Sequence, residues 1–143
     1  MHRSRTTTIV SLLVSLWLLG SATAFAAQKK IVLQISDGSP QKQTLVLNVA
    51  NNLIRHYGLD NVKLEIVAFG PGLRLLFADN ANKDRVQSLA ASDVRFSACM
   101  NTTKKMTQIL GKPPKLTPHS VPVKAGVARI IELTEQGYTL IRP

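Results

Sequence analysis

The chain has 143 residues, enough for one packed core but not for two domains. It carries 18 Lys and Arg against 8 Asp and Glu, a formal charge of +10, with 5% aromatic residues and one cysteine. The basic residues form no run and have few aromatics to interleave with them, which argues against a nucleic-acid binder, and a single cysteine excludes an internal disulfide.

Met1-His2-Arg3-Ser4-Arg5 is a short basic opening. Ile9 to Leu19 is an apolar run broken only by Ser11 and Ser15, and small residues fill Gly20 to Ala27. Basic, apolar and A-x-A segments in that order make a secretory signal peptide. Two sites fit, Ala22-Thr23-Ala24 and Ala24-Phe25-Ala26. Cleavage after Ala26 is preferred because it leaves the polar start Ala27-Gln28-Lys29-Lys30. The apolar run is shorter than the roughly 20 residues of a spanning helix, and no cysteine follows it to take a lipid. The expected product is residues 27–143, a soluble periplasmic protein that is not integral to the membrane.

Ile31 to Ser36 is apolar and β-branched, as in a strand covered on both faces. Asp37-Gly38-Ser39-Pro40 breaks it, with Ser39 as helix cap and Pro40 at the first helical position. The helix that follows places Val46, Val49, Ala50, Leu53 and Tyr57 on one stripe, and Gly58 stops it. Val62 to Phe69 reads as a second strand, with Val62, Leu64, Ile66 and Ala68 alternating against Lys63, Glu65 and Val67. Gly70-Pro71-Gly72 ends it. Leu73 to Phe77 predicts a short helix, apolar around most of its circumference. Because a surface helix needs only one apolar stripe, Leu73, Leu75, Leu76 and Phe77 point either to a homo-oligomer or to a helix sunk deep in one subunit.

Lys83 to Ala91 predicts a helix with Val86, Leu89 and Ala90 inward. Val94 to Cys99 is a third strand, and Thr102 to Leu110 a third helical region with Met106, Ile109 and Leu110 on its apolar side. Three prolines make Gly111 to His119 a loop. Ser120 to Lys124 is a short strand. Val127, Ile130, Ile131 and Thr134 follow helical spacing, Gly137 stops that helix, and Tyr138 to Ile141 is a last strand. Alternating strands and helices predict an α/β fold, a three-layer sandwich around a mostly parallel sheet of about five strands.

Open α/β sheets bind ligands beyond the carboxyl ends of their strands. Asp37-Gly38-Ser39, Gly70-Pro71-Gly72 and Cys99-Met100-Asn101-Thr102 should gather there. Strand parity puts Arg95, Ser97 and Cys99 on one face and Val94, Phe96 and Ala98 on the other. A helix beginning just after Cys99, capped by Asn101 or Thr102, would favour a thiolate, and Lys104 and Lys105 would help an anion there. The opposing reading is a buried cysteine packed as a small hydrophobe. His56 and His119 are isolated, which leaves no metal-ligand spacing. Of the two, only His119 is placed to reach Cys99, and both are read as uninvolved. Asp37 is the only carboxylate of the three edge segments, so no paired-carboxylate site is indicated, and Gly70-Pro71-Gly72 is not a phosphate-binding loop.

Lys30 to Asp37, Leu64 to Gly72, Phe96 to Thr102, Val123 to Leu133, Gly137-Tyr138 and Ile141-Arg142-Pro143 resemble, in order, the small exported members of the DsrE-like family of sulfur-handling proteins. The resemblance implies the DsrE-like α/β fold, a homo-oligomer and no cofactor. It also implies that Cys99 carries a persulfide between a sulfur donor and an acceptor, either proteins or small sulfur compounds. Asn101 and Thr102 would then orient the helix start, with Asp37, Ser39, Gly70 and Gly72 bordering the pocket. The family's relay members are cytoplasmic, whereas this chain carries an export signal. A non-catalytic binding or assembly module with a structural Cys99 is the alternative.

Overall fold

The computed structural model describes residues 28–143. The expected signal peptide and its expected cleavage site therefore lie outside the described residues. The strands are β1 (Lys29–Ile35), β2 (Val62–Ala68), β3 (Arg95–Cys99), β4 (Ser120–Val123) and β5 (Thr139–Ile141). The helices are α1 (Pro40–Tyr57), α2 (Lys83–Ala91), α3 (Met100–Leu110) and α4 (Gly126–Glu135), with short 3₁₀ helices at Leu59–Asn61 and Gly70–Leu76. The five strands are all parallel, in the order β4-β3-β2-β1-β5.

Given this order, crossover chirality fixes the face that each helix covers. From β1 to β4 each connection steps the same way across the sheet, so right-handed crossovers put α1, α2 and α3 on one face. The step from β4 to β5 runs back across the sheet and puts α4 on the other face. The larger core packs Ile31, Leu33, Leu64, Ile66 and Phe96 under α1 and α2. The smaller one packs Val32 and Val67 against Ile130 and Leu133 of α4. The predicted alternation of β2 is therefore the division between two cores. Pro122 sits in β4, an edge strand, where a missing N–H is tolerated.

Ser39 caps α1 by accepting from the Lys42 N–H, Pro40 follows it, and Gly58 ends the helix at φ 85°. Gly137, at φ 86°, stops α4. Three expectations are corrected. Leu73 to Leu76 do not form a separate helix but belong to the 3₁₀ helix Gly70–Leu76, in which Leu73, Leu75 and Leu76 are fully buried, and Phe77 follows it in extended conformation. Gly72 allows this, because a Cβ there would run into the backbone of Ile35 and Ser36. The segment plugs the end of β1 within one subunit, which removes the apolar partner surface read from it. On α4 the buried stripe is Gly126, Ile130 and Leu133, so Val127 and Ile131 face water instead of the core. On α3 only Thr103 is buried, and Ile109 and Leu110 are exposed.

Candidate functional site

β3 and β4 are neighbours, yet the helices that leave them go to opposite faces of the sheet: α3 to one, α4 to the other. Such a divergence is the switch point at which open α/β sheets form their sites. Cys99 is the last residue of β3, in register with Val123 at the end of β4. It lies on the same sheet face as Ser97, away from the Phe96 core, as parity requires.

α3 begins at Met100, directly after the strand, so Cys99 itself occupies the N-cap position with φ −70° and ψ 114°. Asn101 and Thr102 are thus not caps but the second and third residues of the first turn, whose amides point back at the cap side chain. The thiol makes no close capping hydrogen bond. Burial pushes the Cys99 thiol up, but the Thr102 hydroxyl and the N–H groups of Thr102, Gly126 and Asn101 outweigh it and hold the thiol below its ordinary value. The starts of α3 and α4 thus both favour the thiolate. Lys104 and Lys105, expected to help, are exposed and are not among the groups that lower it. The contribution of Gly126 was not foreseen. Its signal was a glycine opening the helix after the fourth strand, since a parallel sheet brings every such helix start to one edge.

The three edge segments do meet. The Gly70 N–H donates to Thr102 Oγ1 at 2.9 Å, and the Gly72 N–H donates to the Ser36 carbonyl at 3.2 Å. Gly38 lies against Pro71, whose Cβ would be 3.1 Å from a Cβ at position 38. A cleft of about 760 Å³ opens beside them between α3, the 3₁₀ helix Gly70–Leu76 and the start of α1, with Gly70, Asn101 and Thr102 in its lining. Asp37, Ser39, Gly72 and Cys99 do not line it. Asp37 Oδ1 accepts from the Ser39 N–H at 2.7 Å and Ser39 Oγ from the Lys42 N–H at 3.2 Å, so both build the turn into α1. Cys99 is 5% exposed, while Thr102 lines the cleft.

His119 precedes β4 and so lies at the amino edge of the sheet, opposite to Cys99, ruling out a Cys–His pair. Among the described residues no three His, Cys, Asp or Glu side chains gather in a metal-binding group, and no helix is long and apolar enough to cross a membrane.

A buried charge cluster under α4 escaped the sequence reading. Glu65 is 2% exposed. Arg129 of α4 donates to Glu65 Oε1 and Oε2, each at 2.8 Å, and the Ser97 hydroxyl donates to Oε1 at 2.6 Å. Arg95 Nε stands 3.6 Å from Oε2. Burial pushes the Glu65 carboxyl up, but these donors and the two guanidinium charges win and hold it below the usual carboxylate range. The same contacts raise Arg129 further. Alternation alone assigned Glu65 to the second face without showing that α4 would cover that face and supply the partner.

These features define an all-parallel five-stranded α/β protein with one thiol at its switch point. The fold is shared with the solved structure of MTH1491 from Methanobacterium thermoautotrophicum, described as a protein of unknown function. The two are 26% identical with a TM-score of 0.74, over 81% of this chain and 100% of that one. No protein-family model matches the chain, and no curated protein matches it.

Proposed function

We propose that this is an exported thiol carrier of DsrE-like type that holds sulfur as a persulfide on Cys99. The observation that carries the reading is the position of Cys99, at the N-cap of α3 and at the switch point of the sheet opposite Val123, where the Thr102 hydroxyl and the Thr102, Gly126 and Asn101 N–H groups favour its thiolate. A thiolate is the nucleophile of sulfur exchange. The Cys99 thiolate would attack the outer sulfur of a donor persulfide. A new S–S bond forms, the donor's S–S bond breaks, and the donor leaves as its thiolate. Delivery is the same step in reverse, with an acceptor thiolate taking the outer sulfur and Cys99 leaving as thiolate. No oxidant or cofactor is consumed.

The reading puts this chemistry in the periplasm, on the basic, apolar, A-x-A order of the first 26 residues, with residues 27–143 as the working protein. A homo-oligomer belongs to the reading through the family resemblance. Val127 and Ile131, 56% and 53% exposed on the outer side of α4, offer it a surface.

One observation favours the alternative, an assembly module with a structural cysteine: Cys99 is nearly closed to solvent. The two readings separate on a single experiment. The native protein is incubated with inorganic polysulfide and its intact mass measured. Gain of one sulfur atom, lost in Cys99→Ser, supports the carrier. A thiol that takes sulfur only after denaturation rejects it. The same spectrum reads the cleavage site.

A further inference from the structure

We propose that the cleft between α3 and the 3₁₀ helix Gly70–Leu76 is a binding site for a small organic anion, a carboxylate carrying an apolar chain. Its volume, about 760 Å³, falls in the range of ligand pockets, which are mostly apolar with a few placed polar groups. Pro71 and Phe77 form one wall, Met106, Ile109 and Leu110 the other. The α3 wall is the apolar side of an amphipathic helix that the fold leaves uncovered, with Ile109 71% and Leu110 53% exposed. An apolar side chain gains by being covered, and here the cover must come from outside the subunit.

The chemistry of the occupant is read from the charges. Arg74 projects from the 3₁₀ wall and Lys105 from the α3 wall. Neither takes part in an ion pair among the described residues. Asp79 is the only acid in the lining, so the cleft has a net positive rim. Its floor is preformed. Asn80 Nδ2 donates to Gln43 Oε1 and to the Arg74 carbonyl, each at 2.8 Å, and Gln43 Nε2 donates to the Gly38 carbonyl at 3.0 Å. These amides are spent on one another, and Arg74 and Lys105 are the cations of the lining that can meet a negative head.

A second copy of the chain is the competing occupant. In a two-fold contact through this groove, Arg74 and Lys105 of one copy would face those of the other. Like charges oppose that contact, whereas an anion relieves them.

Cys99 is not part of the cleft lining. The test is calorimetric titration of the protein, purified as it accumulates in the cell, with decanoate below its micelle threshold. Decanol and acetate serve as controls. Saturable one-to-one binding of decanoate is expected, with decanol bound more weakly and acetate not at all. Arg74→Gln with Lys105→Gln should weaken decanoate roughly fivefold, the scale of two exposed charge contacts. Ile109→Asp should abolish binding. All three positions are exposed, and thermal melts check that each variant folds. Binding should be unchanged in Cys99→Ser, so failure here and failure of the carrier reading are separate results. Three titration results overturn the proposal: no saturable decanoate binding, even where anionic lipid vesicles bind; equal affinity for decanol; and unchanged affinity in the double Gln variant. A light-scattering mass above the monomer that Ile109→Asp returns to the monomer also overturns it, because the groove then belongs to a second copy.

Discussion

Glu65→Gln removes the negative charge from a carboxylate that receives two Arg129 hydrogen bonds at 2.8 Å and one from Ser97 at 2.6 Å. The side chain is 3% exposed, and Arg129, at 23%, keeps only partial access to water. Breaking a buried pair by removing one partner costs about 3–5 kcal/mol. Gln retains one acceptor oxygen, and Arg129 still has Glu132 at 3.4 Å, so the loss should lie at the lower end, about 3 kcal/mol. For a domain of this size that lowers the melting temperature by roughly 12 °C. The pH dependence gives a sharper test. The folded Glu65 pKa lies below its ordinary value. Its contribution is therefore fully present above the unfolded carboxylate pKa and is lost as pH falls through the folded one. The gap between wild type and Glu65→Gln should be widest at neutral pH and close in acid, where the wild-type carboxyl also becomes neutral. Urea unfolding followed by circular dichroism across that window measures it. A gap under about 0.5 kcal/mol at neutral pH, the size of an ordinary surface substitution, would refute the reasoning, as would a gap that does not change with pH.

Thr102→Val should raise the midpoint of the Cys99 alkylation rate against pH, because the sulfur loses its hydroxyl donor. The same change leaves the Gly70 N–H without its acceptor, at a cost of about 1–3 kcal/mol in a melt. Gly72→Ala should be far more damaging than an ordinary Gly→Ala change, since the new Cβ meets the backbone of Ile35 and Ser36; little or no folded protein in a refolding yield is the expected result. Ser39→Ala should cost about 1 kcal/mol through loss of the α1 cap, measurable as a shifted urea midpoint.

Local chemistry was enough to place most elements. The β-branched runs of β1 and β2, the Ser39-Pro40 start and the glycines at 58 and 137 act within a few residues of themselves. They specify strand, cap and stop wherever the segment lies. The alternation of βα units then implied a parallel sheet, and a parallel sheet brings Cys99 to the same edge as Gly38 and Gly70. What the sequence could not determine was which face each helix covers. Direction of crossover assigns α4 alone to the second face. That single assignment decides that Glu65 is buried against Arg129, that Gly126 joins Asn101 and Thr102 around the sulfur, and that Val127 and Ile131 face water. It also leaves the apolar side of α3 open as a cleft. Periodicity identifies an apolar stripe from neighbours along the chain, but only packing against distant strands determines whether anything covers it.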